Sequence, residues 1–158
     1  MDFRRATLHD VDALTILRIG MLREEEDYSD SFLNLLMNNT KQYVESGLAD
    51  TSYSAWLAEV DGAAIAMGGI TYFSLPPNDW CPNGKTAYIG GVYTLPSYRK
   101  QGIATKLMNL LISEAKVQKC QRILLNSSDM GKSIYEKMGF IDSPSAMALY
   151  PFGLMSQV

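Results

Sequence analysis

Residues 92–105 constrain what this chain can fold into more strongly than any other segment. A β-type run ends at Pro96, a short basic turn follows, and Gly102 precedes a helical pattern. The first turn of a helix leaves backbone N–H groups without partners at the positive end of the helix dipole, so it binds anions such as phosphate. Gly102 lacks a Cβ, which lets the main chain approach an anion closely. The segment therefore predicts a strand, a phosphate-binding turn and a helix, in that order.

The residues after Gly102 have the spacing of an amphipathic helix that continues to about residue 118. Its apolar positions lie on one face, at Ile103, Leu107, Leu110, Leu111 and Ala115. A short apolar run at 122–126 then predicts a buried strand. Because a strand–helix–strand crossover brings two strands side by side in the same direction, we expect the strands at 87–95 and 122–126 to be parallel.

Periodicity and turn residues predict the remaining elements. Strands are expected at residues 3–8, 54–60, 63–75, 87–95, 122–126 and 146–150. Helices are expected after Asp10, from about 32 to 47, after Gly102, and from about 129 to 138, with a loop at 76–84. This order predicts one α+β domain over residues 1–158, in which a mixed sheet of about six or seven strands is flanked by about four helices.

Composition argues against several functional classes. The net charge of −3 offers no electrostatic attraction to nucleic acid or an anionic membrane, and no apolar run is long enough to cross a bilayer. Cys81, Cys120 and the single histidine, His9, lack the spacing of a metal site or a disulfide framework. We therefore expect no bound metal. The N-terminus lacks the apolar stretch of a signal peptide, so we expect a cytoplasmic protein.

Two motifs resemble those of the GNAT superfamily of N-acetyltransferases, which bind acetyl-CoA. Arg99-x-x-Gly102-x-Ala104 is similar to the family signature Q/R-x-x-G-x-G/A. Residues 133–140, SIYEKMGF, are similar to the family's late helix and its Y-E-K-x-G-F ending. The motifs occur in the family's order, and the resemblance covers residues 54–141. It implies a GNAT-like fold in which acetyl-CoA lies where the parallel strands 4 and 5 splay apart.

The resemblance implies which residues hold acetyl-CoA. The backbone of Val92, Tyr93 and Thr94 would hold the pantetheine arm, and one of its N–H groups would polarise the thioester carbonyl. The pyrophosphate would be bound by Arg99, Lys100, Gln101, Gly102, Ile103, Ala104 and Thr105. Asn126 and Ser128, after the fifth strand, would bond the pantetheine amides; an equal alternative is that Ser128 caps the next helix.

Tyr135 falls on the late-helix tyrosine that, in many family members, protonates the departing CoA thiolate. A phenol with a pKa of about 10 can give its proton to a thiolate that is forming in the transition state. The alternative is a half-buried tyrosine whose ring packs beneath the helix. The resemblance favours Tyr135 as the catalytic proton donor.

The acceptor side of the site carries no motif. No carboxylate occupies residues 90–93, where some family members have a glutamate, so the candidates for the general base are Glu24, Glu25, Glu26, Asp27 and a water relay. An acidic cluster there would also attract a cationic amine or polyamine. We expect Glu25, Tyr28, Tyr72 and Trp80 to contact the acceptor. The alternatives are a solvated helix end for the acidic residues and core packing for the aromatic ones.

The predicted function is transfer of an acetyl group from acetyl-CoA to the primary amine of a small molecule, by direct attack in a ternary complex. Two alternatives remain: a module that binds or senses acyl-CoA without turnover, and an acetyltransferase that acts on a protein N-terminus or lysine. The edges of the terminal strands also offer a surface for a homodimer.

Overall fold

The computed structural model describes residues 1–127, 129–143 and 148–151, which contain five strands and four α-helices. The strands are β1 (Asp2–Arg5), β2 (Tyr53–Val60), β3 (Ala63–Ser74), β4 (Lys85–Thr94) and β5 (Arg122–Leu125). The helices are α1 (Val11–Glu25), α2 (Asp30–Asp50), α3 (Ile103–Val117) and α4 (Asp129–Lys137), and short 3-10 turns lie at Leu8–Asp10 and Pro96–Tyr98.

Each strand of the sheet lies beside its neighbour in sequence, in the order β1-β2-β3-β4-β5. β1 to β4 are antiparallel, whereas β5 is parallel to β4 after the α3 crossover. This confirms the predicted mixed α+β sheet and its parallel pair. Five of the six or seven expected strands lie in the described residues. The strand predicted at 146–150 falls partly outside them, and residues 148–150 are not in a strand.

Internal contacts divide the chain into two compact units, Met1–Asn126 and Ser127–Val158. The first unit contains β1 to β5 and α1 to α3, and the second contains α4. In the second unit, the Phe140 N–H donates to the Tyr135 carbonyl at 3.1 Å in the turn that ends α4. That the whole chain forms one domain stays a prediction.

The sheet of the first unit separates two hydrophobic layers. Successive β2 side chains point to opposite faces, so Leu57 packs with α1 and α2 while Ala58 packs with α3. The layer under α1 and α2 includes Leu14, Leu17, Val44, Ala55, Met67 and Tyr93, and the layer under α3 includes Ile65, Ala66, Ile103 and Leu107. The predicted apolar face of α3 is therefore the face that it buries against the sheet.

The helix expected after Asp10 begins at Val11, and Asp10 makes most of its contacts outside this helix. Asp10 lies at the N-cap position, but its carboxylate makes no cap bond to α1. It instead accepts hydrogen bonds from Arg4 at 2.7 and 2.8 Å and from the Thr7 N–H at 2.8 Å. The bonds from Arg4, and then those from Thr7, hold the pKa of Asp10 well below its usual range even though burial opposes them. Thr7 and Asp10 form a capping box soon after β1 ends at Arg5, so the strand predicted at 3–8 is shorter than expected.

Neither a membrane-spanning helix nor a metal cluster occurs in the described ranges. No helix there combines the length and the hydrophobicity needed to cross a membrane. No three His, Cys, Asp or Glu side chains of the same ranges come together in the way that a metal site requires. Cys81 and Cys120 are both free thiols.

Candidate active site

The sheet opens at the end of β4. β4 pairs with β5 from Thr86 to Ile89, and β5 ends at Leu125, which lies opposite Ile89. β4 continues through residues 90–94, which have no β5 partner in the part of the chain that is described. Backbone N–H and C=O groups that point to this edge can therefore pair with an extended amide chain. The open edge contains Val92, Tyr93 and Thr94, the residues expected to hold a pantetheine arm.

A β-bulge lies next to the open edge. The register shifts between Met67 and Gly69 of β3, so that one β3 residue faces two β4 residues. Gly91, in the bulge, has a φ of +74°, which L side chains rarely adopt. A Cβ at Gly91 would also lie 3.3 Å from both Arg18 Nη1 and Met67 Cε. Glycine is therefore favoured where α1 meets the bulge.

The turn between β4 and α3 has the shape expected of an anion-binding turn. Lys100 and Gly102 have φ values of +62° and +77°, and Gly102 is the N-cap of α3. The Gly102 carbonyl accepts the first helical bond, from the Lys106 N–H at 3.0 Å, so the preceding N–H groups have no helical carbonyl to bond. A Cβ built on Gly102 would meet nothing within 4 Å, which leaves the space beside the turn open to a ligand.

The other residues predicted to hold a pyrophosphate surround this turn. Lys100, Gln101 and Thr105 are exposed, and Ala104 is partly buried. Ile103 is only 3% exposed because its side chain packs in the layer under α3. It can offer a ligand its backbone N–H but not its side chain.

Arg99 is engaged by neighbouring groups. Its Nη2 donates to Glu24 Oε2 at 2.5 Å, and its Nε donates to the Thr94 carbonyl at 2.9 Å. Its guanidinium lies 5.5 Å from the centre of the Tyr93 ring, and the Tyr93 hydroxyl donates to Glu24 Oε1 at 2.6 Å. We call Glu24, Tyr93 and Arg99 the Glu24 clamp. The clamp ties the anion-binding turn to α1 and β4, so Arg99 has a structural task besides any contact with a phosphate.

The clamp also affects the charge of Glu24. Hydrogen bonds from Tyr93 and then from Arg99 lower the pKa of Glu24 below its ordinary value. Both carboxylate oxygens are engaged, which makes Glu24 a poor proton acceptor. The other acidic residues considered for the base, Glu25, Glu26 and Asp27, are exposed.

One polar atom at the open edge lacks a partner. Thr94 Oγ1 is buried and makes no hydrogen bond to any other described residue. A buried hydroxyl without a partner costs about 1–3 kcal/mol. The open β4 edge and the anion-binding turn together fit a ligand with an amide arm and a pyrophosphate. Asn126 is exposed after β5, whereas Ser128 lies outside the described residues.

A cavity of about 340 Å³ lies beside the bulge, between α1, α2 and strands β2 to β4. Its walls include Arg18 from α1, Asn39 and Tyr43 from α2, Tyr53 from β2, Thr71 from β3 and Tyr88 from β4. Gly90 also lines the cavity and is the first β4 residue without a β5 partner. The cavity therefore meets the open edge of β4, and we call it the acceptor cavity.

The four residues predicted to contact the acceptor do not line this cavity. Glu25 is exposed at the end of α1, and Trp80 is 81% exposed in the loop after β3. Tyr28 packs its ring against a phenylalanine of α2. Tyr72 follows a cavity residue on β3, so its side chain points to the other face of the sheet. Their contact with an acceptor stays a prediction that the cavity does not support.

Sequence reasoning did not identify Arg18, the charged residue of the cavity wall. Arg18 follows Leu14 and Leu17, which are both buried, on the side of α1 that packs on the sheet. A charged residue on an otherwise apolar helix face was the available signal. The cavity tyrosines carried no comparable signal, since tyrosines are frequently part of a core.

Tyr135 lies on α4 in the second unit. Its ring packs edge-on against Phe140, with ring centres 6.1 Å apart, and covers Gly131, where a Cβ would lie 2.9 Å from Tyr135 Cε2. Burial raises the pKa of its phenol above the ordinary value, which makes the group a weaker acid. The packing fits the structural alternative, and the catalytic role of Tyr135 stays a prediction.

Solved structures of acetyltransferases share this fold over nearly their whole length. A predicted acetyltransferase from Clostridium acetobutylicum, crystallised with acetyl-CoA, is 30% identical, with a TM-score of 0.86 over 94% of this chain and 95% of its own. A GCN5-related N-acetyltransferase from Ralstonia eutropha is 27% identical, with a TM-score of 0.85 over 94% and 97%. A ribosomal-protein-alanine N-acetyltransferase from Brucella melitensis biovar Abortus, at 19% identity and a TM-score of 0.69 over 95% and 99%, shares the fold alone.

Sequence comparison identifies the family. No curated protein matches this chain. The sequence profile of the acetyltransferase (GNAT) family, in contrast, matches residues 18–140, which include both motifs and most of the chain. The chain therefore belongs to the GNAT acetyltransferase family and is an acetyl-CoA-dependent acyltransferase.

Proposed function

We propose that this chain transfers an acetyl group from acetyl-CoA to the primary amine of a small molecule, by direct attack of the amine in a ternary complex. The observation that carries the proposal is that the acceptor cavity and the open edge of β4 meet at Gly90. An amine in the cavity would then be next to an acyl group held along residues 90–94. Positioning two reactants in this way can contribute as much as about 7–11 kcal/mol to rate acceleration.

The size of the acceptor cavity supports a small acceptor. Its volume of about 340 Å³ is at the lower end of the range of roughly 300–1,000 Å³ that is typical of small-molecule sites. Two helices and a sheet face form its walls. A protein N-terminus or lysine would need an open groove for the flanking peptide, so this cavity favours a free amine.

The residues of this chain bind and orient the reactants. Acetyl-CoA supplies the acyl group as a thioester, which an amine can attack directly. The open edge at Val92 and Thr94 would hold the amide arm, and the first turn of α3 would bind the pyrophosphate. A backbone N–H of the bulge would polarise the acyl carbonyl. Tyr135 would hold the proton that the leaving sulfur takes.

A water relay is the proposed route for the proton of the amine. No carboxylate is among the described residues that line the acceptor cavity, and Glu24 has both oxygens engaged in the clamp. Of the bases that the sequence left open, water therefore fits this cavity best.

Substitution of Gly102 tests the cofactor site. We expect Gly102→Glu to weaken acetyl-CoA binding at least about 100-fold, because a carboxylate at the N-terminus of α3 would repel the pyrophosphate. Gly62→Glu is a matched control: Gly62 has the same φ of +77°, and a Cβ there also meets nothing within 4 Å, but it lies in the β2–β3 turn. Both variants carry a backbone strain of about 1 kcal/mol, so only the position differs. Calorimetric titration with acetyl-CoA measures the effect.

Three results would count against the proposal. If the parent protein does not bind acetyl-CoA, the site is wrongly assigned. If Gly102→Glu binds as tightly as Gly62→Glu, the pyrophosphate is bound elsewhere. If acetyl-CoA binds but no amine releases free thiol from it, a binding module without turnover is the better description.

A further inference from the structure

We propose that the acceptor amine also carries a carboxylate, as an amino acid does, and that Arg18 binds this carboxylate in the acceptor cavity. The inference rests on the proposed function and specifies its substrate class. The observation behind the inference is that Arg18 is partly buried, has no counter-ion among the described residues and lies where the acceptor cavity meets the β4 bulge.

Arg18 lacks the acidic partner that three other arginines of the first unit have. Arg4, Arg5 and Arg99 each bond a carboxylate at 2.5 to 2.7 Å. No carboxylate among the described residues lies within 4 Å of the Arg18 guanidinium, whose one hydrogen-bond contact there is the Met21 sulfur at 3.7 Å. A partly desolvated cation without a counter-ion is unfavourable, and a bound anion would relieve that cost.

The charge of the cavity wall favours an anionic group on the ligand. Arg18 is the one charged residue among the described residues that line the cavity. The polar groups beside it, such as Asn39, Thr40 and Tyr88, are neutral. A polyamine would bring a second positive charge next to Arg18 with no carboxylate to offset it, which is repulsive. The acidic residues that suggested a polyamine acceptor, Glu24 to Asp27, do not line the cavity.

The position of Arg18 suits a ligand that spans the cavity and the open edge. Its Nη1 lies beside Gly91 in the bulge, one residue from Gly90 of the cavity wall. A guanidinium binds a carboxylate with two parallel hydrogen bonds, which would orient the ligand as well as hold it. The single positive charge of Arg18 balances the single negative charge of a carboxylate. A phosphate group carries up to two negative charges, and Arg18 alone would leave one of them unbalanced.

The carboxylate is a spectator in the chemical step. The neutral amine nitrogen attacks the thioester carbonyl carbon, a C–N amide bond forms and the C–S bond breaks. The nitrogen loses one proton to water, and the leaving sulfur takes one proton. The products are an N-acetylated amino acid, with its carboxylate unchanged, and free CoA.

Matched acceptor pairs test the inference. Each α- or ω-amino acid is compared with its own carboxamide, which keeps the amine and the shape but removes the negative charge. We expect kcat/KM, measured by thiol release, to be at least about tenfold higher for the acids. Arg18→Gln should lower kcat/KM for the acids at least about tenfold and leave that for the amides nearly unchanged, while Arg18→Lys keeps part of the preference.

Two controls separate this inference from the proposed function. Arg23→Gln removes the same charge from the exposed face of α1 and should not change the acid preference. Calorimetry should show that Arg18→Gln binds acetyl-CoA as the parent does. If no acid in the panel turns over, binding of N-acetyl amino acids to the CoA-loaded protein provides a second measurement, and Arg18-dependent binding supports the inference.

Several outcomes would overturn the inference while the proposed function stands. One is equal kcat/KM for acids and amides, and another is an equal loss of kcat/KM for both in Arg18→Gln. The others are a preference for polyamines and a preference for aminoalkyl phosphates over the matching acids. Absence of both turnover and Arg18-dependent binding of N-acetyl amino acids would also overturn it. If the parent protein does not bind acetyl-CoA, the proposed function fails and the inference fails with it.

Discussion

Glu24 joins parts of the chain that are far apart in sequence. Its two oxygens accept hydrogen bonds from Tyr93 and Arg99, which are 69 and 75 residues away. The Glu24 and Arg99 side chains are 39% and 38% exposed, so solvent screens much of their attraction. Glu24 therefore acts mainly by positioning the anion-binding turn, and its contribution to stability is small.

Replacing Glu24 should have a pH-dependent effect on stability. We expect Glu24→Gln to lower the free energy of unfolding by less than about 1 kcal/mol at pH 7, because glutamine keeps one acceptor oxygen and the pair is well solvated. The folded-state pKa of Glu24 is lowered, so its stabilisation is present above the unfolded pKa of about 4.3 and is lost as pH falls through the folded value. The difference from the parent should therefore disappear in acid. Urea unfolding across this pH range measures it.

Glu25→Gln is the matched control for this prediction. Glu25 is the next residue, is exposed, and makes no ion pair with any described residue. A difference between Glu24→Gln and the parent that persists unchanged at pH 3 would show that the lost stabilisation does not come from the charge of Glu24.

At the scale of elements, the β4 bulge brings α1, the open edge and the acceptor cavity to one place. Gly91 has a positive φ in the bulge, and its missing Cβ leaves room for Arg18 and Met67. Gly90, beside it, lines the cavity.

Gly91→Ala should separate the strain of the bulge from the crowding at Arg18. We expect a loss of stability of about 1–3 kcal/mol, because the new Cβ adds a close contact to the backbone strain. The control Gly62→Ala has a similar φ but open space, so it should cost about 1 kcal/mol. Thermal or urea unfolding compares them. Equal losses in the two variants would mean that Arg18 and Met67 move aside without cost.

At the scale of the whole molecule, the first unit depends on the two layers that the sheet separates. Leu107 of α3 is fully buried in one layer, and its helix carries the anion-binding turn at its N-terminus. Packing of α3 on the sheet therefore holds the predicted pyrophosphate site in place relative to the open edge of β4.

Removing the Leu107 side chain tests this dependence. We expect Leu107→Ala to lower the free energy of unfolding by about 2–5 kcal/mol, since it leaves a cavity between α3 and the sheet. Val117→Ala, at a position on the same helix that is 78% exposed, should change it by no more than about 0.5 kcal/mol. Chemical unfolding followed by circular dichroism measures both. Similar small effects would mean that α3 does not depend on this layer.

The sequence by itself determined the strand–turn–helix segment, the parallel strands beside it and the family resemblance. Helix periodicity, an N-cap glycine at positive φ and a crossover between strands depend on residues close to one another in the chain, so a short pattern specifies them. The match of the family profile to residues 18–140 agrees with that interpretation.

Only the tertiary structure decided which side chains meet around the open edge. The Glu24 clamp joins α1 to β4 and to the turn before α3, and the acceptor cavity combines residues from two helices and three strands. These contacts depend on strand register, on the bulge at Gly91 and on the angle of α1 against the sheet. Packing across the whole unit sets them. A local pattern could single out Arg18 as a charge on an apolar helix face, but it could not show that Arg18 lines a cavity or that Glu24 belongs to a clamp.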